Sequence, residues 1–438
     1  MFEVIVAVDK NYGIGKYNKM PWKCKEELKI FKDKTINNIV IFGRKTYENL
    51  PLLENRIVIP LSRRNKLSFN NIFDVYPGLK DSNKTIFVAG GRDIYKLAFE
   101  NKFVERIHIS FMNNVYDCDT YFDKKWLDNF IITEEYKSDL FTHFVMEPTE
   151  YGEIQYTNIL KDVLNGTEKK GRNGSTISKF GKNLMFDLRK GFPLLTTKKM
   201  FFRGIVEELL FFLKGDTNSK ILENKNINIW KGNTSRQFID SIGKYERKEG
   251  LMGPMYGYQF RHANAKYNET TGCPEEEGID QLSEVIDMIR NDPNSRRILM
   301  TSYNINQVKD GVLYPCHSLI LQFSVEGKHL DMFCYNRSSD LFLGLPFNIA
   351  SSSLLLEIVA KITNLTARNF YLSLGDCHIY KNHIQPVLKQ LERIPYAFPK
   401  LVIDKKLVSI DNIENLEYKD FNLINYKHHE KILADMIP

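Results

Sequence analysis

Through its first hundred residues the chain repeats one pattern: an apolar run, a turn built on glycine, then a stretch of helical spacing. Phe2–Val8 runs into Asn11-Tyr12-Gly13-Ile14-Gly15 and then into 26–34, where Leu28 and Phe31 sit at helical spacing. The run 38–42 meets Gly43-Arg44-Lys45-Thr46 opening a helix, 56–61 reads as a strand, and 85–89 meets Gly90-Gly91 ahead of a helix over 93–99. Such alternation predicts an α/β domain with a largely parallel sheet. Pro60 has no N–H for a ladder, so its strand belongs at an edge or a bulge. After a last apolar run at 141–146, Glu147-Pro148-Thr149-Glu150-Tyr151-Gly152 breaks the pattern, and a helical stretch from Ile154 begins something longer and less regular. These signals place one domain over 1–148 and a second over 149–438, joined by too short a connection for a flexible Gly/Ser tether.

Hydrophobic residues at 43% and charged residues at 26% are ordinary globular usage and exclude wholesale disorder. The net charge of +7 is spread over both halves. A dedicated duplex-DNA binder concentrates its charge, so no nucleic-acid partner is expected. No apolar run approaches the ~18 uncharged residues that a membrane span needs, and the start of the chain enters a strand without a basic-then-apolar leader. The expectation is a soluble, cytoplasmic protein with no membrane partner. Six cysteines without a C-x-x-C pair indicate neither a disulfide frame nor a zinc knuckle, and no metal is expected.

Two turns in the first half, Gly43-Arg44-Lys45-Thr46 and Gly90-Gly91-Arg92-Asp93, put exposed N–H groups at helix N-termini, where phosphate binds. Each alone could be a glycine kept for its backbone freedom. Together, with Arg44 and Lys45 adjacent and Ser62-Arg63-Arg64 after a neighbouring strand, they suggest a nucleotide carrying an additional phosphate, NADPH over NADH. Glu27 has two readings. Either its helix face points inward with Leu28 and Phe31, or it belongs to an exposed Glu26-Glu27 pair. A lone buried carboxyl has raised proton affinity and can mediate protonation near neutrality.

Ile14-Gly15 with Met20-Pro21-Trp22, Glu27-Leu28-x-x-Phe31, Gly43-Arg44-Lys45-Thr46, Gly90-Gly91-x-x-x-Tyr95 and Asp119-Thr120-x-Phe122 resemble dihydrofolate reductase over about 2–146. The resemblance implies that Glu27 holds the pteridine and serves its protonation at N5. It implies a folate pocket lined by Ala7, Leu28, Phe31, Leu50 and Ser110, with Arg56 gripping the glutamate tail's carboxylate through its guanidinium fork. NADPH would lie along Ala7, Ile14, Gly15, Gly43, Arg44, Lys45, Thr46, Ser62, Arg63 and Gly90-Gly91-Arg92-Asp93-Ile94, with Gly90-Gly91 as the strained peptide at the nicotinamide. Lys25 stands where proline is common in the family.

In the second half, Cys316 in Tyr314-Pro315-Cys316-His317 is by type alone a small buried hydrophobe. Three basic and polar strings, Arg172-Asn173-Gly174-Ser175, Ser295-Arg296-Arg297 and Asn336-Arg337-Ser338-Ser339-Asp340, shift that reading. Guanidinium groups beside a thiol lower its pKa and bind phosphate, so an activated nucleophile is expected.

These strings, with Gly191-Phe192-Pro193-Leu194-Leu195-Thr196-Thr197-Lys198-Lys199, Glu207-Glu208-Leu209-Leu210, Ile229-Trp230, Gly253-Pro254-Met255-Tyr256-Gly257, Leu343-Gly344-Leu345-Pro346-Phe347-Asn348 and Gly375-Asp376-Cys377-His378-Ile379-Tyr380, resemble thymidylate synthase from about 150 to 438. The whole chain is similar to the bifunctional dihydrofolate reductase–thymidylate synthases, which implies an α/β reductase domain followed by an α+β synthase domain. By the resemblance, Cys316 adds to C6 of dUMP and makes C5 a nucleophile for the methylene carbon of 5,10-methylenetetrahydrofolate. Arg172, Arg337 and Ser338 would hold the phosphate from one subunit and Arg296 with Arg297 from its homodimer partner. His378 and Tyr380 would meet the sugar, with His317 also in the substrate site. Glu208 would organise proton transfers, Tyr256 would assist near C5, and Trp230, Asn233 and Asp340 would shape the folate site.

Asn348 has its own physical reading. A carboxamide donates to the uracil carbonyl and accepts from N3–H together, whereas cytosine presents the opposite pattern, so asparagine favours dUMP. Three departures from the family keep polarity or aromaticity: Asn336 for glutamine, Phe260 for tryptophan and Tyr303 for tryptophan. The end Met436-Ile437-Pro438 departs further, because the family usually ends on a small aliphatic residue whose carboxylate helps close the folate site.

Overall fold

The computed structural model describes residues 2–62, 83–149, 152–171 and 174–435. Arg63, Arg172 and the terminal Met436-Ile437-Pro438 lie outside the described residues. By packing, the chain divides into one unit of Met1–Glu150 with Ile394–Tyr396 and a second of Tyr151–Arg393 with Ala397–Pro438.

The first unit is built on strands β1 (Phe2–Val8), β3 (Ile39–Gly43), β4 (Ile57–Leu61), β5 (Ile86–Val88), β6 (Val104–Met112), β8 (Phe130–Lys137) and β9 (Phe141–Pro148), with a small pair β2 (Gly13–Gly15) and β7 (Thr120–Tyr121). The sheet runs β4-β3-β5-β1-β6-β9-β8. The strands from β4 to β6 are parallel, and β9 and β8 add antiparallel pairs. β4 is the edge strand, so Pro60 sits where a missing N–H is tolerated. Helices α1 (Lys25–Thr35), α2 (Arg44–Tyr47) and α3 (Arg92–Glu100) follow the glycine-bearing turns. Ile394–Tyr396 completes this unit, as the Ile132 N–H donates to the Pro395 carbonyl (2.8 Å) and Tyr396 joins the core.

The second unit carries β10 (Thr167–Gly171), β11 (Gly174–Asp187), β12 (Leu299–Thr301), β13 (Ile320–Glu326), β14 (His329–Asp340) and β15 (Thr366–Tyr380), ordered β10-β11-β15-β14-β13-β12. Only β14 and β15 pair in parallel within it. Helices α4 (Glu153–Val163), α5 (Phe202–Leu213), α6 (Gly257–His262), α7 (Gln281–Asn291) and α8 (Gly344–Ile362) surround it, α8 packing on β14, β15 and α5. Strand alternation sends Leu330, Met332 and Cys334 into the core while Phe333 faces out. α8 corrects one sequence expectation. By length and composition it is apolar enough to cross a membrane, but most of it is buried as the core helix of this unit.

Candidate active sites

In the first unit the two glycine turns meet. Gly43 N–H donates to the Gly90 carbonyl (2.6 Å), and a Cβ on Gly43 would come within 2.9 Å of Ile94. A Cβ on Gly91 would stand 3.0 Å from the Thr46 hydroxyl. The peptide between Gly90 and Gly91 is cis, and Gly90 has φ +116°, a conformation that disfavours any side chain. The turns thus form one backbone-lined shelf, closed by Gly91 as N-cap of α3, with Arg92, Asp93 and Ile94 in its first turn. Arg44 pairs with Glu48 (2.7 Å) and Lys45 is exposed. Two touching backbone turns where side chains do not fit, at the head of α3 and beside basic residues, suit the pyrophosphate of NADPH. Ile14 and Gly15 lie in β2, the Gly15 carbonyl accepting from Asp119 N–H (3.0 Å), and Ser62 follows β4.

Of the two readings of Glu27, the inward one is the one seen: Glu27 is buried, while Glu26 is exposed and accepts from Tyr136 (2.6 Å) and Ser138 (2.7 Å). Burial pushes the Glu27 carboxyl above its ordinary range, opposed by a hydrogen bond from Ser110. Its one-residue neighbour Leu28 remains 44% exposed, so the spacing of Leu28 and Phe31 marks a wall and not a core stripe. Phe31 and Leu50 pack over Ile5, Val40 and Phe42, and the Arg56 guanidinium lies over the Phe31 ring at 5.8 Å. Arg56 Nε is buried with no hydrogen-bond partner among the described residues. A donor left so costs about 1–3 kcal/mol, which an acceptor on a ligand would offset. Ala7 packs separately, with Trp22 and Cys24. Tyr95 of α3 donates to the Ile5 carbonyl (2.9 Å), and its hydroxyl lies close to Gly90 and within the field of Glu27. It therefore links the shelf to the carboxyl.

In the second unit the loop before β13 carries Cys316. The Arg337 guanidinium on β14 donates to the carbonyls of Pro315 (2.7 Å) and Tyr314 (2.9 Å), fixing the backbone just ahead of the thiol. Asn336 accepts from Ser318 N–H (2.9 Å) just behind it, and Ser338 N–H approaches the Cys316 carbonyl at 3.4 Å. The Tyr256 hydroxyl accepts from Cys316 N–H (3.1 Å) and stands 3.7 Å from Sγ. Tyr256, with φ 46° at the start of α6, stacks on His317 with ring centroids 4.5 Å apart. Trp230 Nε1 donates to Glu208 (2.8 Å), and burial pushes Glu208 up to about 7, so near neutrality it can both take and return a proton.

The expectation of a lowered Cys316 pKa is corrected. Burial raises it, outweighing the Tyr256 hydrogen bond and the Arg337 charge that pull it down. Only one guanidinium among the described residues bears on the thiol, whereas the sequence suggested several. Arg296 and Arg297 are exposed just before β12 and form no ion pair among the described residues.

His378 shares a hydrogen bond with Asp376 (3.0 Å) and meets the Tyr380 ring edge-on at 5.2 Å. Asp340, opposite His378 in the sheet, accepts from Phe342 N–H (2.9 Å) and leads the chain into α8, on whose first turns Asn348 is half-buried. Asn233 Nδ2 is buried and unpaired among the described residues, as suits a ligand contact. Sequence reasoning missed Lys198. Glu153, buried at the start of α4, accepts from the N–H groups of Thr196 (2.6 Å) and Thr197 (2.9 Å), and this places Lys198 over the Phe342 ring at 3.7 Å. Burial pushes Lys198 down to about 7 against the attraction of Asp340 and Glu153. Its signal was the Thr-Thr-Lys-Lys string, but nothing in the string says that one lysine is inside.

Compared with known proteins, residues 1–147 match the dihydrofolate reductase family and 154–438 the thymidylate synthase family. The chain is 38% identical to the bifunctional dihydrofolate reductase-thymidylate synthase of Paramecium tetraurelia over 99% of this chain and 98% of that one. It is 37% identical to bifunctional dihydrofolate reductase-thymidylate synthase 1 of Arabidopsis thaliana, over 99% and 96%. To the bifunctional dihydrofolate reductase-thymidylate synthase of Plasmodium berghei (strain Anka) it is 33% identical, over 92% of this chain and 83% of that one. The likeness runs from end to end through both sites, and the chain belongs to the bifunctional dihydrofolate reductase–thymidylate synthases, methylating dUMP with 5,10-methylenetetrahydrofolate and reducing the dihydrofolate formed with NADPH.

Proposed function

We propose that Cys316 is the nucleophile toward dUMP and Glu27 the group that serves protonation of dihydrofolate, each with the neighbours assembled above. The observation that carries the synthase reading is the clamp on Cys316, with the Arg337 guanidinium holding the loop before it and the Tyr256 hydroxyl over its N–H and thiol. Once the thiol has lost its proton, Sγ bonds to C6 as the C5–C6 π pair moves to C5, and C5 bonds to the methylene carbon as that carbon's bond to one folate nitrogen breaks. Glu208 relays protons and Tyr256 acts beside C5. Arg337, Ser338, His378 and Tyr380 bind the nucleotide from this chain, with Arg172, and Trp230, Asn233 and Asp340 bound the folate.

In the reductase, NADPH supplies a hydride. The chain's own part is to seat the nucleotide on the Gly43 and Gly90-Gly91 shelf, grip the folate tail with Arg56 and deliver a proton through Glu27.

Base choice falls to Asn348. Replacing it by aspartate presents acceptors to the N4 amino group of cytosine and removes the donor to uracil. Binding of dCMP relative to dUMP should rise by about tenfold or more, as one exchanged buried hydrogen-bond pattern is worth a few kcal/mol. Calorimetric titration of both nucleotides reads it, and an unchanged ratio means that Asn348 does not read the base.

The synthase works as a homodimer through its sheet. Leu299, Gln322, Phe333 and Tyr371 lie opposite one another in register across β12, β13, β14 and β15, so they share a face, and Leu299, Phe333 and Tyr371 are all exposed. An exposed row with three large apolar side chains around Gln322 is the kind of surface that a second subunit covers. Arg296 and Arg297 stand at the start of β12 beside it and reach the partner's nucleotide phosphate. Cys316→Ala and Arg297→Ala homodimers should then both be nearly inactive as synthases. Equal mixtures after subunit exchange should recover roughly a quarter of wild-type activity, because about half the dimers are mixed and each holds one intact site. Failure of demonstrated exchange to restore activity would place these arginines in their own chain's site.

A further inference from the structure

Behind Glu27 and Ser110 runs a string of buried polar side chains, of which His143, His108 and Glu3 have so far had no part in either activity. Register explains their alignment. Ser110 is opposite His143 across β6 and β9, His108 is two residues before Ser110, and Glu3 of β1 is opposite Arg106. Residues two apart or directly opposite share a face of the sheet. Ser110, the side chain that tempers the upward push of burial on the Glu27 carboxyl, has its Oγ 3.0 Å from His143 Nδ1. The His143 and His108 rings lie nearly parallel, 16° apart with centroids at 6.1 Å. His108 Nε2 is 2.7 Å from Glu3, and Arg106 bridges Glu3 (3.1 Å) to Glu147 (2.9 Å). Glu27, Ser110, His143 and His108 are all buried, where a sheet face under a helix is normally apolar.

Ser110 has one hydroxyl proton and two claimants. Burial, with the charges of His108 and Lys34, pushes His143 down to about 4, so at neutral pH the ring is neutral with a single N–H. With that proton on Nδ1, the ring donates to Ser110 Oγ and the Ser110 hydroxyl is left to donate to the Glu27 carboxylate. With it on Nε2, Nδ1 takes the Ser110 proton and Glu27 loses its donor. His143 Nε2 is buried with no partner among the described residues, so no acceptor there favours the second arrangement.

We propose that His143 is a positioning residue of the reductase: by donating to Ser110 it aims the Ser110 hydroxyl at Glu27 and sets how tightly Glu27 holds its proton. The charged and titratable groups around the string are Lys34 of α1, Tyr95 of α3, Glu3 of β1, Arg106 and His108 of β6 and Glu147 of β9. The His143 contact with Ser110 is set by strand register, the two residues standing opposite one another across β6 and β9 with Oγ and Nδ1 3.0 Å apart. The proposal's kinetic arm rests on the reading of Glu27 as the proton-serving group, and its spectroscopic arm does not.

The test uses the full-length chain and two readouts. One is infrared titration of the Glu27 carboxyl stretch, assigned by its loss in Glu27→Gln. The other is the pH profile of dihydrofolate reduction. Loss of a polarised donor destabilises the carboxylate, so His143→Leu should move the Glu27 midpoint upward by about half a pH unit or more, roughly threefold in proton affinity. His143→Asn, whose amide can replace Nδ1, should restore the midpoint. In a Ser110→Ala background, His143→Leu should add no further shift. If His143→Leu does not fold, His143→Gln, which carries its amide one bond further out, serves in its place. A midpoint unmoved in the folded variant, or an undiminished shift without Ser110, overturns the proposal. A midpoint that moves while the reductase profile stays still upholds the string and instead removes Glu27 from proton delivery.

Discussion

Cys316→Ala should abolish dTMP formation, by roughly 10³-fold or more, while NADPH oxidation with dihydrofolate continues near the wild-type rate. The loss follows from chemistry. C5 of dUMP becomes a nucleophile only when a group adds at C6, and alanine has nothing to add. The clamp offers no substitute, because Tyr256 is buried with its hydroxyl proton held far more tightly than usual, and Arg337 is a guanidinium cation with no electron pair to add. Retention of the reductase follows from the separate cores around the two sheets. Release of the C5 hydrogen of dUMP reads the first activity and absorbance of NADPH the second. A large fall in reductase turnover in a folded Cys316→Ala protein would count against independent sites.

Glu27→Gln should slow dihydrofolate reduction by roughly 10²-fold or more at neutral pH, with a deficit that shrinks in acid. Burial holds the wild-type carboxyl above the ordinary glutamate range. Its protonated fraction therefore persists to higher pH than in the unfolded chain and falls as pH rises through the folded-state value. Wild-type turnover should decline along that limb, whereas glutamine has no proton to lose and depends on solvent. The same shift has a stability consequence of known sign. A carboxyl whose proton is held more tightly in the folded state stabilises the fold at low pH, and that contribution is lost as pH rises through the folded-state value. The Gln variant should accordingly be at least as heat-stable as wild type at neutral pH, so a melting curve separates lost chemistry from lost fold. A near-normal rate with a flat pH profile would remove Glu27 from the mechanism.

The periodic alternation of the first hundred residues was enough to read the α/β unit and most of its elements. Helix 26–34 is seen as Lys25–Thr35, strand 38–42 as Ile39–Gly43, and Pro60 lies on the edge strand. Periodicity works there because each element buries one face against a single sheet, and the spacing of that face is written in the local sequence. The glycines at 43, 90 and 91 were legible for a related reason: where two backbone turns touch, no side chain fits. Cys316, Asn336 and Arg337 were legible as motif strings, because short stretches of chain deliver them to one place.

Tertiary structure alone decided what depends on residues distant in sequence. Glu27 could face in or out until the sheet supplied Ser110, and the sign of the Cys316 shift waited on how much burial opposes one guanidinium. Lys198 and the apolar core helix Gly344–Ile362 are charged and membrane-like as strings, and become interior groups only through what packs on them. His143 is 33 residues from Ser110, and Ile394–Tyr396 pairs with a strand more than two hundred residues earlier, with no local pattern marking either. Local sequence determines which face of an element is apolar, but proton affinity follows from desolvation and from the charges facing a group, which chain folding sets through contacts of long sequence separation.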